Sequence, residues 1–214
     1  MHPDSSLPKG PLPPLTIADA EARIAQAKAH TAVLVEGCSD QAAVETLARR
    51  MAVDLAARGI VVLPIGGATN ARLFAQHFGP SGRGLRLAGL YDRPEARHFL
   101  RAIGGVTGSA FDDTEAARRG FHACDRDLED ELIRALGPAA VERVIAAEGE
   151  WSAFCRFQAQ PAQRDRPVEA HLRRFMGTRA RRKVRYGALL AGALPLDALP
   201  APLERLLLDL RESR

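Results

Sequence analysis

The chain has 214 residues, 46% hydrophobic and 26% charged, with a formal net charge of +4. This is the composition of a globular chain, long enough for one core-bearing domain with a small appendage, and it excludes a disordered one. No apolar run reaches the roughly 18 residues of a membrane span. The opening MHPDSSLPKGPLPPL lacks the apolar stretch of a secretory signal, and Cys38, Cys124 and Cys155 form no C-x-x-C pair, so a reducing cytoplasm is expected.

Residues 1–15 carry five prolines and read as a flexible leader. Thr16 with Asp19 three residues on resembles a helix cap, and good helix formers follow from Ala18 to Ala29. Thr31–Val35 is a short apolar, β-branched run and predicts a buried strand ending at Glu36-Gly37. Ser39 is expected to cap a helix over Asp40–Arg58, with Ala43, Leu47, Met51 and Leu55 at helical spacing and Gly59 as its stop. Ile60–Ile65 predicts a second strand whose Pro64 marks an edge or strain at its end. Gly66-Gly67 turns the chain into a short helix reaching Phe78, and Leu85–Tyr91 predicts a third strand closed by Asp92. Pro94 suits the first turn of a helix over Glu95–Ile103. Phe121–Cys124 is a fourth, short strand, followed by a helix over Leu128–Leu136 that Gly137 ends.

Strands alternating with helices argue for a parallel α/β sheet of four strands flanked by helices. After residue 137 the pattern changes to helices alone, near Ala139–Glu148, Trp151–Gln158, Val168–Met176, Arg179–Ala193 and Leu203–Arg211. The expected organisation is a leader (1–15), an α/β core (16–137) and a basic helical extension (138–214).

In an open parallel sheet, ligands bind outside the carboxyl ends of the strands. Here the first strand ends at Glu36, the third at Asp92, and the fourth is followed by Asp125, Asp127 and Glu129; Asp40 lies one helical turn after Glu36. Carboxylates gathered at one edge repel unless a cation lies between them. Hard oxygen ligands suit Mg²⁺ or Mn²⁺ better than zinc, and such an ion activates water and stabilises a phosphoryl transition state. The plain alternative is a set of helix caps and solvated turns.

Val35-Glu36-Gly37-Cys38-Ser39-Asp40, then Gly89-Leu90-Tyr91-Asp92, then Asp127-Leu128-Glu129-Asp130-Glu131-Leu132 resemble a TOPRIM domain. More narrowly, over roughly Thr31 to Leu190, they resemble the TOPRIM half of the overcoming-lysogenization-defect (OLD) family nucleases. The resemblance implies a TOPRIM-like (Rossmann-like) sheet and a metal-dependent site for phosphodiester chemistry. Glu36, Asp40, Asp92, Asp127 and Glu129 match its metal-binding acids, and Lys183 matches its catalytic Lys. Two departures stand out. TOPRIM domains usually carry Asp-x-Asp at the third strand, whereas Asp92-Arg93-Pro94 puts Pro94 at the second position, with Glu95 next to it. And the nucleases resembled join this domain to an ABC-type ATPase, whereas no G-x-x-x-x-G-K-[ST] is present here.

Lys183 also stands out by composition, as one of 3 Lys against 27 Arg, inside the run Thr178–Arg185. An ammonium is a point charge that can touch a scissile phosphate, a different task from the fork of a guanidinium. Residues 156–190 hold ten basic and two acidic side chains, a local net of +8. Arg173, Arg174, Arg179, Arg181, Arg182 and Arg185 are the expected contacts to a phosphate backbone, tolerant of sequence and sensitive to salt. Gly66-Gly67 with Thr69 and Asn70 reads as a tight turn in preference to a phosphate cradle, Cys38 and His122 as packing residues, and Trp151, Phe154 and Phe157 as core in preference to a stacking platform.

The leading expectation is a Mg²⁺- or Mn²⁺-dependent endonuclease acting on DNA, with Glu36 and Lys183 as its catalytic residues. The alternative is a catalytically weak DNA-binding or regulatory subunit. Either fits a separately encoded P-loop ATPase partner and leaves homodimerisation open.

Overall fold

A computed structural model of the chain describes residues 14–104 and 112–212. The leader expected over 1–15 therefore lies, up to residue 13, outside the described residues. Four parallel strands form the sheet: β1 (Thr31–Val35), β2 (Ile60–Pro64), β3 (Arg86–Asp92) and β4 (Phe121–Cys124), in the order β2-β1-β3-β4. β1 is central, and all five of its residues are buried. That explains why its sequence is a continuous apolar run and not an alternating one. Pro64 closes β2, an edge strand, where a missing N–H costs little.

The pleat divides the molecule into two cores. Ala32 and Leu34 of β1 join Leu63, Tyr91, Phe99 and Phe121 on one face. That face is covered by α1 (Ile17–Ala27), α3 (Ala71–Phe78), α4 (Ala96–Gly104) and α5 (Asp113–Arg118). Val33 and Val35 point the other way, with Ala88, Leu90 and Cys124. There they meet α2 (Cys38–Arg50), α6 (Leu128–Leu136), α7 (Pro138–Ala147), α8 (Trp151–Gln158), α9 (Val168–Gly177), α10 (Ala180–Ala193) and α11 (Ala201–Glu212). The helices that follow residue 137 thus share one hydrophobic core with β1, β3 and α2. No helix among the described residues is long and apolar enough to cross a membrane.

α2 departs from its expected span at both ends. It begins at Cys38 with Gly37 as the cap residue, and Asp40, not Ser39, supplies the capping carboxylate by accepting from the Gly37 N–H at 2.7 Å. It ends at Arg50, eight residues early. The Ala52 N–H donates to Arg49 O (3.1 Å) and the Val53 N–H to Ala48 O (2.8 Å), the paired bonds of a Schellman ending, with Ala52 at φ +56°. A left-handed alanine costs about 1–2 kcal/mol. Val53, only 3% exposed, offsets that cost by folding back onto the core. The helical spacing of Met51 and Leu55 therefore comes from two partly buried residues outside the helix that pack on the same core. α5 was not expected; Asp112 caps it by accepting from the Glu115 N–H at 2.9 Å.

α10 lies against α2 because Gly187 lets it. A Cβ at Gly187 would stand 2.5 Å from the backbone oxygen of Ser39. A mid-helix glycine costs about 1 kcal/mol relative to alanine; here it permits a backbone-to-backbone approach at the N-terminal turn of α2. Lys183, one turn earlier on α10, is thereby brought over the acidic ends of the strands.

Candidate functional site

The strand order reverses between β1 and β3, so the connections leave on opposite sides and a crevice opens at their carboxyl ends. Glu36 follows β1 and Asp92 ends β3, and the two are tied: Glu36 Oε1 accepts from the Asp92 N–H at 3.3 Å. Asp40 joins them from the first turn of α2. Asp127 caps α6, accepting from the Asp130 N–H at 2.8 Å, and Glu129 sits in the first turn of that helix. Asp127 and Glu129 are 7% and 5% exposed.

Burial without enough compensating charge marks the first three acids. Burial pushes Asp92 up to about 8, with Glu36 and Asp40 adding repulsion. Burial and then Glu129 push Asp40 up to about 7, against the Gly37 N–H and Lys183. Glu36 is raised as well, mainly by burial, and Glu95 adds to it. The acids on α6 are matched by cations instead. Arg173 of α9 clasps Asp127, and Lys183 Nζ lies 3.3 Å from Glu129 Oε1. Burial works against the Lys183 charge, but Glu129 and Asp40 outweigh it and raise its pKa. The ammonium thus pairs with Glu129 and also favours the charged forms of Asp40 and Glu36. Among the described residues, no three His, Cys, Asp or Glu side chains form a set around one ion position.

The other expected contacts divide. Arg182 lies over the Phe175 ring at 4.2 Å and pairs with Glu150 at 2.8 Å, with its side chain 11% exposed. Arg185 reaches the same Glu150 at 2.9 Å, and the Tyr186 hydroxyl donates to it at 2.9 Å. Arg173, Arg182 and Arg185 are therefore engaged by carboxylates of the fold, and Arg174, Arg179, Arg181 and Arg185 are exposed. The N–H groups of Gly66 and Gly67 both donate to the Glu36 backbone oxygen at 3.0 Å, and Asn70 Nδ2 donates to Ile65 O at 2.8 Å. They close a turn, as expected, and are not free to cradle a phosphate. His122 is 6% exposed on β4 and pairs with Asp209 of α11 at 2.8 Å. Phe154 is fully buried, but Trp151 is 42% exposed, unlike the core residue expected. Pro94 opens a tight turn over Arg93–Glu95 that leads into α4 and leaves Glu95 near Glu36.

A cavity of about 410 Å³ adjoins the cluster and includes Asp127, Glu129 and Lys183 in its lining. A larger one of about 600 Å³ runs beside β2 and the turn after α2, lined by Ala48, Val53, Leu55 and Ile60, and contains none of the clustered acids. The smaller cavity is the one placed for chemistry. Two features of the site go beyond the expected residues. Phe157 packs against the core, as expected, and also lines this cavity, and Gly187 is an interior helix glycine, itself a signal of close packing.

A four-stranded parallel sheet with an acidic crevice at its reversal point is a Rossmann-like frame. Residues 29–92 match the family model of the overcoming lysogenization defect protein-like TOPRIM domain. Among solved structures, the C-terminal region of the Xanthomonas campestris pv. campestris OLD protein superposes with a TM-score of 0.65 at 24% identity, covering 86% of this chain and 95% of that one. The C-terminal region of the Burkholderia pseudomallei OLD protein gives 0.63 at 22% identity, covering 86% and 98%. No curated protein matches the chain. Residues 29–92 thus resemble the TOPRIM domain of OLD-like proteins, and the likeness of the chain to the solved structures is one of fold.

Proposed function

We propose that this chain is a TOPRIM-type nuclease that hydrolyses DNA phosphodiesters with Mg²⁺ or Mn²⁺ in the cytoplasm. The observation that carries the reading is the gathering of Glu36, Asp40 and Asp92 at the carboxyl end of the sheet, with Lys183 paired to Glu129 beside them, where the strand order reverses. The donor chemistry fits a hard divalent ion: every ligand is a carboxylate oxygen, and the raised pKa values of Asp40 and Asp92 mark a shortage of positive charge. Glu36, Asp40 and Asp92 would hold it, with Glu95 in place of the acid that Pro94 displaces. Asp127 and Glu129 would serve once Arg173 and Lys183 turn away. Bound there, the ion supplies a water of lowered pKa and charge for the phosphoryl oxygens.

The chain's own groups do the rest. Asp40 and Asp92 release protons as positive charge reaches them. Lys183 stays protonated and donates to a non-bridging oxygen of the scissile phosphate, stabilising the charge that develops there. Arg174, Arg179 and Arg181 bind the flanking backbone, and a separately encoded P-loop ATPase is the partner that fits this reading.

The test is plasmid cleavage in Mg²⁺, Mn²⁺, Ca²⁺ or chelator. Metal-dependent cleavage is expected to fall at least about 100-fold in Glu36→Ala and in Lys183→Ala, the range of a lost electrostatic stabiliser. The second reading, a DNA-binding or regulatory subunit, draws on Pro94 and on the Lys183 ammonium resting on Glu129. It predicts gel shifts without cleavage in any metal. Indifference to DNA would sink both.

A further inference from the structure

The cavity beside the carboxylates has features that backbone binding leaves unused. It lies between the ends of α8 and α9 and the start of α10, about 410 Å³ in volume. Arg173 and Lys183 line it but are matched to Asp127 and Glu129. Phe157 adds an aromatic wall, only partly buried and braced by the Phe175 ring at 5.7 Å. Arg174 adds an exposed guanidinium with no hydrogen bond or ion pair among the described residues.

Cations for a duplex backbone need only a surface; a recess with an aromatic wall needs something that enters it. Its volume lies within the roughly 300–1,000 Å³ of small-ligand sites. An aromatic face beside a guanidinium is how unpaired bases are held irrespective of sequence, and a base in a duplex reaches such a recess only by leaving the stack. The geometry points to this cavity as a subsite for one unpaired nucleotide, its base against Phe157 and its phosphate at Arg174, adjoining the phosphodiester held at the carboxylates. The inference rests on the nuclease reading and sharpens its substrate class: single-stranded, gapped or frayed DNA ahead of continuous duplex.

The test uses oligonucleotides carrying 2-aminopurine, single-stranded and duplex, titrated onto the full chain in chelator and then assayed for cleavage in Mn²⁺. Single strands are expected to lose fluorescence on binding and to bind about ten-fold more weakly to Phe157→Leu, the scale of one stacked base. Arg174→Glu is expected to weaken single-strand binding, and wild-type cleavage to favour unpaired over duplex sites. Should Phe157→Leu fail to fold, quenching by the wild type and the exposed Arg174→Glu change decide. Bright 2-aminopurine with equal cleavage of both DNA forms overturns the subsite and leaves the nuclease standing. Quenching that depends on Phe157, with no cleavage in any metal, keeps the subsite and overturns the nuclease.

Discussion

Asp40 and Asp92 carry the sharpest single-residue consequence. Their pKa values stand at about 7 and about 8 against an ordinary 3.8, through burial first and then neighbouring carboxylates. A carboxyl whose folded pKa is raised holds its proton more tightly folded than unfolded. Its contribution is complete below about pH 4 and is lost as pH rises through its folded value. The metal-free chain is therefore expected to melt at lower temperature near pH 8.5 than near pH 6. Added Mn²⁺ should restore Tm mainly at the alkaline end, because deprotonated ligands bind the ion. Asp92→Asn should raise the alkaline Tm in chelator and remove most of the Mn²⁺ gain. Calorimetry over this range checks both, and a flat Tm without metal would count against the shared, charge-starved cluster.

Among the elements, the α2–α10 pair decides whether the site exists. Asp40 rides on one helix and Lys183 on the other, and the backbone approach at Gly187 and Ser39 sets their separation. Gly187→Ala gains helix propensity of about 1 kcal/mol but forces a Cβ to within 2.5 Å of a carbonyl oxygen, and overpacking of that kind costs about 1–3 kcal/mol. The expected result is a modest drop in Tm, a few degrees at roughly 2–4 °C per kcal/mol for this size, with a much larger loss of cleavage as Lys183 moves off Glu129. Activity and Tm measured on the same preparation check it; a variant that cleaves normally would show that the approach does not set the Lys183 position. The Glu150 cluster acts at the same scale. By engaging Arg182, Arg185 and Tyr186 it joins the start of α8 to α10, and the buried Arg182 becomes part of the scaffold.

Across the whole molecule the small net charge of +4 conceals an opposition: residues 1–155 carry −3 and residues 156–214 carry +7. The acidic portion brings the strand ends, and the basic portion brings Lys183 and the exposed arginines. Ten free cations would give a log–log salt slope of roughly −9 for duplex binding. Because Arg173, Arg182 and Arg185 are already engaged, a clearly shallower slope is expected, and Arg174→Ala should reduce it by about one. Binding isotherms between about 50 and 200 mM salt measure it, and a slope near −9 would mean that the internal ion pairs open on DNA.

Much of the molecule was readable from the chain alone. Local physics determined the four strands, because a short apolar β-branched run has few other states, and the order of acids at their ends, because strand-to-helix turns place the next residue at the crevice. The resemblance rested on those same turns. The sequence also carried the charge asymmetry and the odd Lys among arginines. Long-range packing settled the rest. Gly187 and Ser39 are far apart in sequence, and no local pattern says that they touch. Which arginines face solvent and which face Glu150 or Asp127 depends on where α8, α9 and α10 come to rest, since an Arg-rich helix reads the same in either case. The early end of α2 belongs with these, because only the core shows that Val53 is worth a left-handed alanine. Propensity and period act over a few residues; the partner of a buried charge is chosen by the fold that surrounds it.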